Sequence, residues 1–178
     1  MPIDNDFIFK RIPPDDAALY RELRLEGLKN TPEAFGASYS NESANAPSHY
    51  RELLTNNEVF GAYTNKGTLF GISGVGIAGL AIPRKEKLKH KEMLWGIYIK
   101  PEMRGNGLAK QLISHIIEMA KHRTEELLLT VVTSNTSAIK LYKKLGFIEY
   151  GCEPRALKVG DCYYDELLMR LPLKTKAI

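Results

Sequence analysis

Two glycines one residue apart, Gly105 and Gly107, stand where an apolar run stops at Pro101 and a long stretch of helical period begins. Arg104 and Lys110 bracket them with positive charge. The start of a helix exposes unpaired backbone N–H groups and the positive end of the helix dipole, so such a junction is a natural anion site. Glycine leaves nothing to obstruct a close backbone approach, and a diphosphate is a physically reasonable ligand. The spacing matches neither the three-glycine dinucleotide fingerprint nor the Gly-Lys-Ser/Thr of a magnesium nucleotide loop. A plain strand-to-helix turn would use the same glycines, so the junction needs a second signal. One lies further along, where Asn135 opens a helical segment that Gly146 ends. Ala138, Leu141, Tyr142 and Leu145 share one face of it, and the Tyr142 phenol there either fills core or donates a proton to a reacting group.

The elements that must position these residues follow from hydrophobic period and turn chemistry. Residues 7–12 alternate and read as a short strand that ends at Pro13 and Pro14; a helix then carries Leu19 and Leu23 until Asn30-Thr31-Pro32 breaks it. A second helix spans roughly 48–54. Residues 58–64 and 66–80 read as a hairpin around Asn65-Lys66-Gly67. The glycine-rich stretch 71–79 fits neither phosphate-loop spacing and is read as a twisted or bulged strand. Residues 93–99 form an apolar strand ahead of the glycine junction. In the helix after it, Leu108, Ala109, Leu112, Ile113, Ile116, Ile117 and Ala120 make an apolar stripe opposite Lys110, Gln111, Ser114, His115 and Glu118. Residues 127–133 form another strand. Residues 147–150 and 162–171 form a closing antiparallel pair across a turn-rich connection with Pro154 and Gly160. Residues 1–171 thus read as one domain, with 172–178 as a loose tail.

With the elements in place, the motifs become specific. Arg104 to Ala109 resembles the Gln/Arg-x-x-Gly-x-Gly/Ala acyl-CoA signature of the GNAT superfamily of N-acetyltransferases, and the match is complete. The preceding Trp95-Gly96-Ile97-Tyr98-Ile99-Lys100-Pro101-Glu102 resembles that family's strand, and residues 135–147 resemble its Asn-x-x-Ala-x-x-x-Tyr-x-x-x-Gly-Phe segment. The resemblance implies a single α/β domain with a mixed, mostly antiparallel twisted sheet of about six or seven strands. About four helices would flank it, and two strands would splay at an acetyl-CoA site.

Residue by residue, the resemblance implies that the backbone from Arg104 through Gly105, Asn106, Gly107 and Leu108 to Ala109 holds the CoA pyrophosphate, with help from Lys110. Ile97 and Ile99 would carry the pantetheine arm and Asn135 would hydrogen-bond to it. Tyr142 would protonate the departing thiolate. The family's glutamate base corresponds to Met93 here, with Glu92 one residue out of register and on the other sheet face. Glu92 is therefore one candidate base and a water chain the other. The first helices and their loop nominate Glu33, Phe35 and Tyr39 for the acceptor, with Tyr163, Tyr164 and Asp165 approaching from the closing strands. Carboxylates and aromatics suit an amine.

Composition narrows the alternatives. The chain has 178 residues, 44% hydrophobic and 26% charged, as expected of a folded domain with a buried core. No apolar run reaches the roughly 20 residues a membrane helix needs, and the amino terminus lacks secretory-signal character, so a cytoplasmic protein is expected. Cys152 and Cys162 are expected to be reduced, and His49, His90, His115 and His122 show no metal-ligand set. A net charge of +4 without any nucleic-acid motif argues against DNA or RNA as a partner. The expected activity is direct acetyl transfer from acetyl-CoA to a small-molecule amine, by a monomer or homodimer without metal. A protein amino terminus or lysine is the alternative acceptor, and a non-catalytic CoA-binding regulatory module the alternative role.

Overall fold

A computed structural model describes residues 7–64, 73–81 and 85–174. Seven strands form one sheet in the order β1-β2-β3-β4-β5-β7-β6. They are β1 (Phe7–Arg11), β2 (Glu58–Thr64), β3 (Ser73–Ala81), β4 (Lys91–Ile99), β5 (Glu126–Val132), β6 (Ile148–Val159) and β7 (Cys162–Pro172). Five α-helices accompany them among the described residues: α1 (Ala17–Asn30), α2 (Tyr39–Ser43), α3 (Pro47–Asn56), α4 (Leu108–Lys121) and α5 (Thr136–Lys144). No helix there is long and apolar enough to cross a membrane.

The helices cover both faces of the sheet. The apolar stripe of α4 packs with β2, β4, β5 and Tyr142 of α5 into one core, where Leu112, Ile113 and Ile116 are fully buried. Each such side chain contributes about 1.5–3 kcal/mol. On the other side α1 and α3 pack Leu23, Leu28, Tyr50 and Leu54 against Tyr63, Ile77 and Tyr98. α4 and the two helices α1 and α3 therefore clamp β4 between two cores.

Among the described residues one pair of strands is parallel. β4 and β5 pair at Lys91–Glu126, Glu92–Leu127 and Met93–Leu128, and there the ladder stops. Six further residues of β4 and four of β5 continue without pairing to each other. This is the splay the family resemblance implied. On its other edge β4 pairs with β3, and Gly96 and Ile97 together oppose Ala78 where the register shifts. Gly96 has φ +63°, which makes this a glycine-first bulge that turns the following residues.

Several expectations need correction. The connection 151–161 is not a loop: β6 runs to Val159, with register breaks at Glu149/Gly151 and Glu153/Leu157 and a turn only at Gly160 and Asp161. Pro154 is tolerated because β6 is an edge strand, and Arg155, at φ 54°, donates its N–H to Asp165 Oδ1 at 2.7 Å. The tail does not begin at 172, since the amides of Leu173 and Lys174 donate to Glu125 O. His115 is half-buried rather than fully solvated, with ring centroids 5.9 Å from Phe9 and 5.8 Å from Phe60. The turn at Asn65-Lys66-Gly67 lies outside the described residues, though β2 and β3 pair antiparallel as a hairpin requires. Their register shift at Ala62/Tyr63 agrees with the bulged-strand reading.

Candidate active site

The splay between β4 and β5 opens a cleft of about 620 Å³. Three segments wall most of it, the first two nearly contiguous in the chain. The end of β4 supplies Ile97, Tyr98 and Ile99; the glycine junction supplies Arg104, Gly105, Gly107, Leu108, Ala109 and Lys110; α5 and its N-cap supply Asn135, Ser137, Ala138, Leu141 and Tyr142. Thr31, Glu33 and Ala34, just past α1, close the rim.

The amino end of α4 is built to stay open. Its N-cap is Gly107 in the left-handed conformation, at φ +76°, and no side chain caps the first turn. α5 contrasts with it: Asn135 Oδ1 accepts from the Ala138 amide at 3.2 Å. Nothing lies within 4 Å of where a Cβ would project from Gly105 or Gly107. The unpaired N–H groups of α4 thus face open space with the helix dipole behind them, an arrangement that favours a phosphate. Arg104 is tied in place, its Nε donating to Ile99 O at 3.0 Å, while Lys110 is exposed.

Asn135 has one amide end committed. Its oxygen caps α5 and also accepts from Ser137 Oγ at 3.1 Å, so a hydrogen bond to a ligand falls to Nδ2–H. Tyr142 is only 7% exposed, and burial pushes its phenol up to about 12, so it is protonated at neutral pH and able to donate. Gly146, at φ +94°, ends α5 as a Schellman turn: the Gly146 amide donates to Lys143 O and that of Phe147 to Tyr142 O, each at 3.0 Å.

Some expected residues stand elsewhere. Glu92 sits at the far end of β4, 3% exposed, with Arg123 Nε and Nη2 each donating to one of its oxygens at 2.9 Å. It does not line the cleft, and its carboxylate is held in an ion pair beside the intact part of the β4–β5 ladder, so it leaves the candidate acid–base set. Phe35 is buried beneath the Arg24 guanidinium, 5.0 Å away, in the α1 core. Tyr39 is exposed on α2, Tyr164 pairs with Leu157 in the β6–β7 hairpin, and Asn106 is exposed on the glycine turn; none of the three lines the cleft. Glu33 does, and it is the one carboxylate to do so among the described residues.

Sequence reasoning missed Tyr98 and Arg24. The Tyr98 hydroxyl donates to Glu26 Oε1 at 2.7 Å and accepts from Asn30 Nδ2 at 3.3 Å, tying α1 to the cleft end of β4. Burial, then the Glu26 carboxylate, raise its pKa. Arg24 lies between Leu23 and Leu25 in the buried register of α1, and a cation at such a position is the signal that was available.

Comparison with known proteins places this geometry. Residues 25–147 match the model described as Acetyltransferase (GNAT) family. Over 81 residues the chain is 35% identical to the ribosomal protein bS18-alanine N-acetyltransferase of Escherichia coli strain K12, which covers 45% of this chain and 55% of that enzyme. The chain thus matches little more than half the length of that relative. A Bacillus subtilis protein provisionally given the same name is 31% identical over 131 residues, 72% of this chain and 80% of that one. Among solved structures, the Salmonella typhimurium protein yncA, solved with its cofactor acetyl-CoA, superposes with a TM-score of 0.76 at 18% identity, covering 97% of both chains.

Proposed function

The chain belongs to the acetyltransferase (GNAT) family, and on that premise we propose that it transfers the acetyl group of acetyl-CoA directly to a primary amine. What carries the reading is the meeting, in one cleft, of an uncapped helix start, a splayed strand edge and a protonated buried phenol. Acetyl-CoA supplies an acyl thioester, whose carbonyl carbon is electrophilic. The residues present suit it: amides from Arg104 to Ala109 for the pyrophosphate, with Lys110 beside them, and the edge of β4 at Ile97 and Ile99 for the pantetheine amides. Asn135 Nδ2 adds a donor to that arm.

Glu33 draws a cationic acceptor to the rim and is the carboxylate to which the amine can lose its proton. The neutral nitrogen then bonds to the acetyl carbon as the carbon–sulfur bond breaks. Tyr142, held protonated by burial, gives its proton to the departing sulfur, and the surplus proton that the nitrogen sheds as the amide forms restores the phenol. Neither cysteine belongs to this machinery, since Cys152 and Cys162 are exposed on β6 and β7 and do not line the cleft.

A small-molecule amine is the first acceptor reading. A protein amino terminus is the second, and the names of the Escherichia coli and Bacillus subtilis relatives favour it. Thiol release from acetyl-CoA across a panel of small amines and amino-terminal peptides tests the proposal. CoA binding without release above background on any acceptor would instead support a regulatory CoA-binding module.

A further inference from the structure

Arg24 occupies an unusual position. It is 6% exposed, its guanidinium lies 5.0 Å from the Phe35 ring centroid and 5.6 Å from that of Trp95, and Glu42 accepts from Nη2 at 2.7 Å and from Nε at 3.0 Å. Among the described residues Nη1 has no hydrogen-bond partner. It points at the bulge of β4: a Cβ built on Gly96 would meet Arg24 Nη1 at 3.2 Å and no other heavy atom within 4 Å. The absent side chain of Gly96 therefore leaves a small niche bordered by Arg24 Nη1 and its two N–H groups; neither residue lines the cleft itself, but Ile97, the next residue along β4, does.

We propose that this niche recognises the acceptor, with Arg24 Nη1 donating to the oxygen of a carbonyl group attached to the carbon that bears the amine. The acceptor class is then an α-amino carbonyl compound with a neutral carbonyl, an amino-acid amide or the first residue of a peptide, rather than a simple alkylamine. This rests on the acetyl-transfer reading and sharpens it. An arginine fixed by a bidentate carboxylate and two ring contacts has its remaining donors pre-aimed, so little freedom is lost on binding. Glu42 already balances the guanidinium charge, which favours a neutral carbonyl oxygen over a second carboxylate.

Product-like ligands test this without turnover. With CoA bound, N-acetyl-L-alanine amide, N-acetyl-L-alanine and N-ethylacetamide are titrated calorimetrically into the wild-type chain. The amide is expected to bind tightest, and N-ethylacetamide about tenfold or more weaker. The double variant R24M/E42M, which removes both buried charges while keeping apolar volume, should abolish that preference and leave CoA affinity unchanged. Glu42→Gln, which frees the guanidinium charge, should shift preference from the amide toward the carboxylate. Equal binding of all three ligands, absence of binding by any, a preference that survives R24M/E42M, or an amide-to-acid ratio unmoved by Glu42→Gln would each overturn the assignment. Failure of acetyl transfer itself is read separately, by thiol release.

Discussion

The rings of Tyr142 and Phe147 meet edge to face with centroids 5.9 Å apart, and the Phe147 amide donates to the Tyr142 carbonyl at 3.0 Å. The turn that ends α5 thereby holds the phenol against the core at the wall of the cleft. Tyr142→Phe removes the proton and little volume. The variant should keep its fold and its CoA affinity while kcat falls about 100-fold or more. Steady-state thiol release beside calorimetric CoA titration checks this, and an unchanged kcat where chemistry limits the rate would remove Tyr142 from the mechanism.

Burial of the same phenol has a consequence for stability. Its folded pKa of about 12 exceeds the ordinary value of 10, so the folded chain keeps the proton over a range where the unfolded chain loses it. The contribution is complete below pH 10 and is lost as pH rises through 12, on the order of 2–3 kcal/mol. Urea denaturation between pH 9 and 12 should show stability falling with pH, with a shallower fall in Tyr142→Phe. Tyr63, also raised by burial to about 12, leaves a residual slope in that variant.

Gly107→Val places a β-branched side chain at φ +76° in front of the first turn of α4. The strain should cost about 1–3 kcal/mol of stability, and obstruction of the backbone amides should weaken CoA binding about tenfold or more in chains that remain folded. Wild-type CoA affinity in a folded variant would move the diphosphate elsewhere.

Arg123→Met strips the buried Glu92 carboxylate of its partner. Stability should drop by about 2–4 kcal/mol, discounted from a fully buried pair because Arg123 is partly exposed. Glu92→Gln should leave kcat within a few-fold of wild type, measured well below the melting temperature. A loss beyond 100-fold would restore Glu92 to the chemistry.

The part of the cleft proposed to hold the cofactor was legible because its physics is local. The glycines of the turn, the Asn135 cap and the Tyr142 face are each specified within a few residues of sequence, and Ile97, Ile99, Gly105, Gly107, Asn135 and Tyr142 do line one cleft. The acceptor half was not. Phe35 and Tyr39 share a loop with Glu33, yet only Glu33 reaches the rim, because the fate of each depends on packing against α1, which no local pattern encodes. Glu92 misled because a carboxylate near the right strand position says nothing about Arg123, which lies beyond the end of α4. β6 was cut short in the sequence reading because Pro154 suggests a loop, and an edge position that excuses it becomes visible only once the sheet order is known.

The three-residue parallel contact between β4 and β5 gives the sheet two unpaired rims in its interior rather than only at its flanks. Bare strand rims usually invite sticking to neighbouring molecules. Here they are walled by α4, α5 and the Thr31–Ala34 turn, and the proposed occupant is a thin, amide-bearing thread. Such a thread would act as a temporary stitch between the β1–β4 and β5–β7 wings, so the opening proposed to admit the donor would also leave the sheet more completely knitted while the donor is in place.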